Sequence, residues 1–161
     1  MECPSGRSKN KSNGQQHYRV TSMDFVSKEK RSAIMRGVKG ANTRPELLVR
    51  SLLHKNGYRF RLHVKDLAGR PDIVLPKHKL VIFVHGCFWH QHRGCRDGRR
   101  PASNVAFWDK KFRLNALRDK RNAADLHKEG WQTLTIWECE TRDLKLLKRA
   151  IRAHLPLKHI G

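Results

Sequence analysis

Apolar positions along this chain follow two rhythms, one helical and one strand-like, in a definite order. Thr43-Arg-Pro-Glu46 has the spacing of a capping box with a proline early in the first turn. Leu47, Leu48, Leu52 and Leu53 follow at helical period, and Gly57 suits a left-handed position that closes the helix. Three short strand-like runs come next. Tyr58–Val64 alternates, Pro71–Leu75 is apolar behind a Gly-Arg-Pro turn, and Leu80–His85 is a continuous apolar run suited to a central strand. Gly86–Arg100 is irregular and rich in Cys, His, Gly and Arg. A long helix is predicted over Asn104–Lys128, with Trp108, Phe112, Leu117 and Leu126 set against a strongly basic opposite side, and Gly130 ends it. Thr133–Trp137 reads as a further strand and Asp143–Leu155 as a short basic amphipathic helix. Ahead of all these, Ser27 is a reasonable N-cap for a short helix through Gly37. The predicted order is α-α-β-β-β-α-β-α, an α/β domain with a sheet flanked by helices.

Residues 1–25 are Ser, Lys, Asn, Gln and Gly without periodicity and are expected to form a flexible basic tail, which leaves 26–161 as one domain. A length of 161 residues suits one core and is too short for two. No apolar run approaches the roughly 18 residues of a membrane span, and the N-terminus lacks the apolar core of a signal peptide. Four cysteines without a secretion signal point to a reducing compartment, where metal binding is the commoner use.

Charge changes the picture most. Thirty-five Lys and Arg against fourteen Asp and Glu give a formal charge of +21, self-repulsion that a polyanionic partner would relieve. Nucleic acid fits best, because each neutralised phosphate releases condensed counterions.

Candidate chemistry gathers in three places. Cys87, His92 and Cys95, with Cys139 beyond the long helix, make a possible tetrahedral Cys3His zinc set that would stiffen a loop with no core of its own. On spacing alone, Cys139 as a small buried hydrophobe is an equal alternative, and Cys3 in the tail is expected to be unpaired. Asp72 heads an apolar strand behind a Pro-fixed turn, either as a turn cap or as the carboxylate that Mg2+-assisted phosphodiester hydrolysis requires. His85, His90 and His92 lie close by in sequence, and an attacking water needs a proton acceptor with a near-neutral pKa; a zinc ligand or a surface imidazole is the bland alternative. Histidines 17, 54, 63, 78, 127, 154 and 159 read as surface or tail residues. Glu46 has a complete structural reason in the capping box, and a carboxylate beneath Asp72 would also be able to orient water or a histidine. Phe88, Trp89 and Trp108 sit among Arg93, Arg96, Arg99, Arg100, Lys110 and Lys111, the mixture of wedge and cation that unstacks and grips a duplex. A mismatched pair is cheaper to open than a paired one. Phe112 and Trp137 read as core.

The string His85-Gly-Cys-Phe-Trp-His90, preceded by Gly69-Arg-Pro-Asp72, closely resembles the very-short-patch repair (Vsr) endonucleases. Thr43-Arg-Pro-Glu-Leu-Leu48, Asn104-Val-Ala-Phe-Trp108, Arg118-Asp119, Gly130-Trp131 and Trp137-Glu-Cys139 extend the likeness in the right order from about Ser27 to Glu140. The resemblance implies a central mixed sheet in a restriction-endonuclease-like PD-(D/E)xK core with a structural zinc site. It implies a nick on the 5′ side of the thymine in a T:G mismatch left by deaminated 5-methylcytosine. By position Asp72 matches the magnesium ligand, helped by the backbone carbonyl of Val84, and His90 matches the general base. His85 and Glu46 match supporting active-site residues; Cys87, His92, Cys95 and Cys139 match the zinc ligands; Phe88, Trp89 and Trp108 match the intercalating aromatics. The segment Ser27–Val38 resembles an element that contacts DNA opposite that wedge. The implied partner is double-stranded DNA carrying a T:G mismatch, with mismatch-repair proteins as candidate further partners, and the implied setting is a monomer in the bacterial cytoplasm at the nucleoid. The rival is a non-catalytic, zinc-stabilised DNA-binding module.

Overall fold

The structure, a computed structural model, describes residues 40–157. The tail, the helix expected over Ser27–Gly37, Cys3, His17 and His159 lie outside the described residues. Helix α1 spans Arg44–Lys55, with Thr43 as N-cap and Pro45 in the first turn. Strands β1 (Arg61–Leu62), β2 (Ile73–Leu75) and β3 (Leu80–His85) follow, then helix α2 (Val105–Lys128), strand β4 (Gln132–Trp137) and helix α3 (Leu144–Arg152).

The strands form one mixed sheet in the order β1-β2-β3-β4. β1 and β2, and β2 and β3, pair antiparallel, whereas β3 and β4 run parallel, with Leu80 opposite Gln132 and His85 opposite Trp137. A parallel neighbour demands a crossover, which α2 supplies. The two faces explain why β2 and β3 are continuously apolar. Ile73, Leu75, Leu80, Ile82, Leu134 and Ile136 pack with Val49, Leu52 and Leu53 of α1 and Leu147 and Ile151 of α3. Val74 and Val81 point the other way, onto Leu126 of α2 with Leu67, Phe83 and Trp131 around it. Helices therefore cover both faces of β2 and of the first half of β3, while β1 and the Thr135 side of β4 stay exposed.

Three expectations change in detail. The run Tyr58–Val64 shrinks to a two-residue exposed edge strand, because Tyr58 and Phe60 pack against the core while His63 turns away at φ +47°. In α1 the inward stripe is Val49, Leu52 and Leu53; Leu47 and Leu48 are exposed. In α2 Phe112 and Leu126 are buried, but Leu117 is 58% exposed, since only part of this long helix lies over the sheet. Gly57 and Gly130 close α1 and α2 at φ +80° and +79°, as their positions predict.

Candidate active site and metal centre

One consequence of the pairing governs everything at the site. β2 begins where β3 ends, and β3 ends beside the end of β4, so Asp72, His85 and the residues after His85 and Trp137 share one edge of the sheet. The carboxyl ends of parallel strands are the usual place for a ligand in such sheets. An open cleft of about 890 Å³ lies there, walled by Glu46, His63, Asp72, His85, Trp89, His90 and Asp119 among others.

Asp72 is held in place by the chain it faces. Its Oδ2 accepts the backbone N–H of Val84 at 2.7 Å, which leaves Oδ1 without a protein donor among the described residues. Burial raises the carboxyl pKa, with the Val84 hydrogen bond working against it; Glu46 pushes it up further, and the Arg50 guanidinium pulls it down. A half-buried carboxylate with one free oxygen facing a cleft is a fitting donor for a hard dication.

Glu46 is 3% exposed and fully engaged. Oε1 takes the Thr43 N–H at 3.2 Å and the Thr43 hydroxyl at 2.8 Å, the reciprocal half of the capping box. Oε2 takes the Asn42 N–H at 3.0 Å and an Arg50 N–H at 2.7 Å. Its carboxylate nonetheless stands near the His63 ring and the Asp72 carboxylate, their donor atoms all within 4.8 Å.

The two histidines expected here stack. The rings of His85 and His90 lie 3.7 Å apart at 13°. Two imidazolium ions cannot sit comfortably so close, and burial followed by the nearness of His90 drives the His85 pKa down to about 4. His85 is thus neutral at physiological pH. His90 Nδ1 meets Asp119 Oδ2 at 2.5 Å. Burial raises the Asp119 pKa, but the hydrogen bond and the charge of His90, with His85 and Arg118 behind them, outweigh it and leave the pKa lowered. An ionised Asp119 accepts only, so His90 donates from Nδ1 and its Nε2 is left as a lone pair able to take a proton.

The expected zinc ligands converge as well. Cys87 and Cys139 each lie two residues beyond the paired His85 and Trp137, so the parallel register itself brings them together. His92 Nδ1 is 3.7 Å from Cys87 Sγ and 3.3 Å from Cys139 Sγ, and Cys95 completes a group within 4.8 Å. A tetrahedral ion with bonds of about 2.0–2.3 Å separates its donors by about 3.3–3.8 Å, so the set fits. Burial pushes the Cys87 thiol up to about 12 and also raises Cys139, while backbone N–H groups of the next turn lower Cys95. Buried thiols at this spacing become good thiolates only against a cation. His92 stacks on Trp137 at 4.2 Å and 5°, which fixes its plane, and a Cβ on Gly98 would come within 2.5 Å of the His92 carbonyl oxygen. Cys139 sits in the 3-10 turn Glu138–Arg142 just past β4.

Phe88, Trp89 and Trp108 form one half-buried aromatic cluster beside the cleft, with Phe88 centroids 5.2 Å from Trp89 and 5.1 Å from Trp108. Phe112 seals its base at 5.4 Å from Phe88, and Lys111 hangs over Trp89. Phe112 is core, as expected; Trp137, expected in the core, is half-buried and stacks on His92 of the Cys/His loop.

Sequence reasoning set His63 aside as a surface residue and gave Asp119 and Arg50 no role. Asp119 carried a readable signal, an acid between Arg118 and Lys120 on the helix face that also holds Phe112 and Leu126. His63 carried none, since a two-residue edge strand and a left-handed turn are what bring it to the cleft.

With this geometry in view, comparison with known proteins is unambiguous. The family model described as DNA mismatch endonuclease Vsr matches residues 23–96. A type II nicking enzyme of Xanthomonas oryzae pv. oryzae is 53% identical over 129 residues, 80% of this chain and 94% of that protein. A type II nicking enzyme of Neisseria meningitidis serogroup A is 40% identical over 80% of this chain and 91% of its own length. The DNA mismatch endonuclease Vsr of Escherichia coli is 40% identical over 74% of this chain and 76% of its own. Likeness of this extent, running through the cleft and the metal loop, means that the chain belongs to the Vsr family of DNA mismatch endonucleases.

Proposed function

We propose that this protein nicks one strand of duplex DNA on the 5′ side of the thymine in a T:G mismatch, starting very short patch repair. The observation that carries the reading is the meeting of Asp72, the His85–His90 stack and Asp119 in one cleft beside an aromatic cluster. Magnesium, held by Asp72 with the Val84 carbonyl, would supply Lewis-acid stabilisation of the phosphate and an acidified water. His90 accepts the proton of the attacking water at Nε2, and Asp119 balances the charge that this creates on the ring. His85 stays uncharged and buttresses His90 from the stacked side. Glu46 braces the start of α1 through Asn42 and Thr43 and stands beside Asp72 at the cleft floor. Phe88, Trp89 and Trp108 enter the duplex where a T:G pair makes opening cheap. Cys87, His92, Cys95 and Cys139 would hold a zinc ion, which would stiffen the loop that presents Phe88, Trp89 and His90. The sheet and its flanking helices, from Arg44 to Arg152, are on this reading a restriction-endonuclease-like core within the endonuclease domain assigned to residues 26–161. A monomer acting on nucleoid DNA in the bacterial cytoplasm, alone or with mismatch-repair proteins, completes it.

Duplexes carrying T:G or C:G at the same position, incubated with Mg2+, test the reading. A nick 5′ of the mismatched thymine, absent with C:G and lost in Asp72→Asn, is expected. Equal cutting of both duplexes, cutting by Asp72→Asn, or no cutting of either, would overturn it.

A further inference from the structure

Beneath the cleft lies a polar cluster that the reaction as described leaves unused. Arg50 is 9% exposed on the inward face of α1. Its Nη1 donates to Asn42 Oδ1 at 2.7 Å, and its Nη2 donates to Glu46 Oε2 at 2.7 Å and lies 3.0 Å from His63 Nε2. A guanidinium has hydrogens to give and no lone pair to offer, so the third contact has a single polarity. His63 Nε2 is the acceptor. The ring is therefore neutral and carries its proton on Nδ1, for which no protein acceptor exists among the described residues.

His63 is also placed to use that proton. It walls the cleft with Asp72, and its side chain is one-third exposed. Its backbone sits at φ +47°, a conformation that costs a non-glycine residue something and that edge strand β1 alone does not require. The apparent alternative is that Glu46, His63 and Asp72 form a metal triad, since their donor atoms cluster within 4.8 Å. Arg50 argues against it. Its cation already occupies His63 Nε2 and Glu46 Oε2, and the other lone pairs of Glu46 are taken by Asn42 and Thr43. A dication would have to displace a buried guanidinium that has nowhere else to put its charge.

We infer that His63, locked as its Nδ1–H tautomer by Arg50, is a substrate-binding residue that donates a hydrogen bond to a phosphate oxygen of the DNA strand lying in the Asp72 cleft. The inference rests on the endonuclease reading above. It assigns Arg50 a positioning role, since it acts through His63 and Glu46.

Two measurements test it together. In long-range 1H–15N spectra of 15N-histidine-labelled protein, with the His63 signals assigned through His63→Gln, His63 shows the Nδ1–H pattern, and its Nδ1–H exchanges more slowly with water once a T:G duplex is added with Ca2+. An Nε2–H or doubly protonated ring, or no change on adding duplex, overturns the assignment. This arm needs no destabilised variant. In single-turnover nicking with Mg2+, His63→Leu slows cleavage about 10- to 100-fold, the effect of one lost hydrogen bond to a charged oxygen. His63→Gln, which keeps an acceptor for Arg50 and a donor for phosphate, stays within about fivefold of wild type. Thermal melting of both variants is read alongside. A residue that only braces the fold would lower the melting temperature of His63→Leu and leave its rate where His63→Gln has it, which overturns the inference. If wild-type protein leaves the T:G duplex intact, the endonuclease reading fails and this one with it. If wild type nicks and His63→Leu nicks equally well, only the His63 assignment fails.

Discussion

Replacing Asp119 by Asn removes one charge while keeping the shape, and the cost follows from the geometry. His90 Nδ1 and Asp119 Oδ2 are 2.5 Å apart, with side-chain exposures of 19% and 27%. In the proposed mechanism His90 takes a proton from water, and its ring becomes a cation whose charge centre lies about 4 Å from the carboxylate. At the effective dielectric of about 20 that suits such sites, the attraction is worth about 4 kcal/mol. That energy is felt in the transition state and hardly at all in the ground state, where the ring is neutral. At about 1.4 kcal/mol per decade, Asp119→Asn should slow the chemical step on the order of 10³-fold. An amide can also turn its NH2 toward Nδ1 and impose the wrong tautomer, which adds to the loss. The assay is single-turnover nicking of a T:G duplex at saturating enzyme, with duplex affinity measured in Ca2+. Affinity and thermal melting should stay near wild type while the rate falls. The double variant with His90→Ala should be no slower than His90→Ala alone, because the carboxylate acts only through that ring. An Asp119→Asn rate within about threefold of wild type would refute the dyad, since an attraction of that size cannot vanish between groups so little exposed.

Two further outcomes follow from the same geometry. Cys139→Ala leaves two thiols and one imidazole around the loop centre; the variant should bind zinc more weakly, melt several degrees lower, and lose nicking together with the ordered loop, checked by metal content and calorimetry. Acid should weaken the fold through His85. An unfolded histidine takes its proton near 6.5, whereas the folded ring waits until about 4, so between those values the unfolded chain binds more protons and stability falls as pH falls. The contribution is fully present above about pH 6.5 and reaches at most about 3 kcal/mol. Urea unfolding from pH 4 to 7 should show that slope, and His85→Gln should flatten it; an unchanged slope in the variant would assign the acid sensitivity elsewhere.

Much of this molecule was legible in one dimension because its signals are local. The capping box at Thr43 and Glu46, the left-handed glycines at 57 and 130, and the unbroken apolar run Leu80–His85 each encode their structure in neighbouring residues, and each is where expected. Most of the Cys, His and aromatic residues that matter were visible as types in a short window from 85 to 95, with Trp108 and Cys139 beyond it. Which of them meet was not. Cys139 joins Cys87 only because β3 and β4 run parallel in a register that carries both two residues past the last pair. Asp119 reaches His90 only because α2 crosses above that strand end, and His63 turns from a surface residue into a cleft residue through a left-handed turn no composition announces. Residue chemistry and rhythm are properties of sequence neighbours, so the chain alone determined its elements and its candidate groups. The pairing of a carboxylate with an imidazole 29 positions away depends on how a sheet and its helices close on one another, and that was decided only by the tertiary structure.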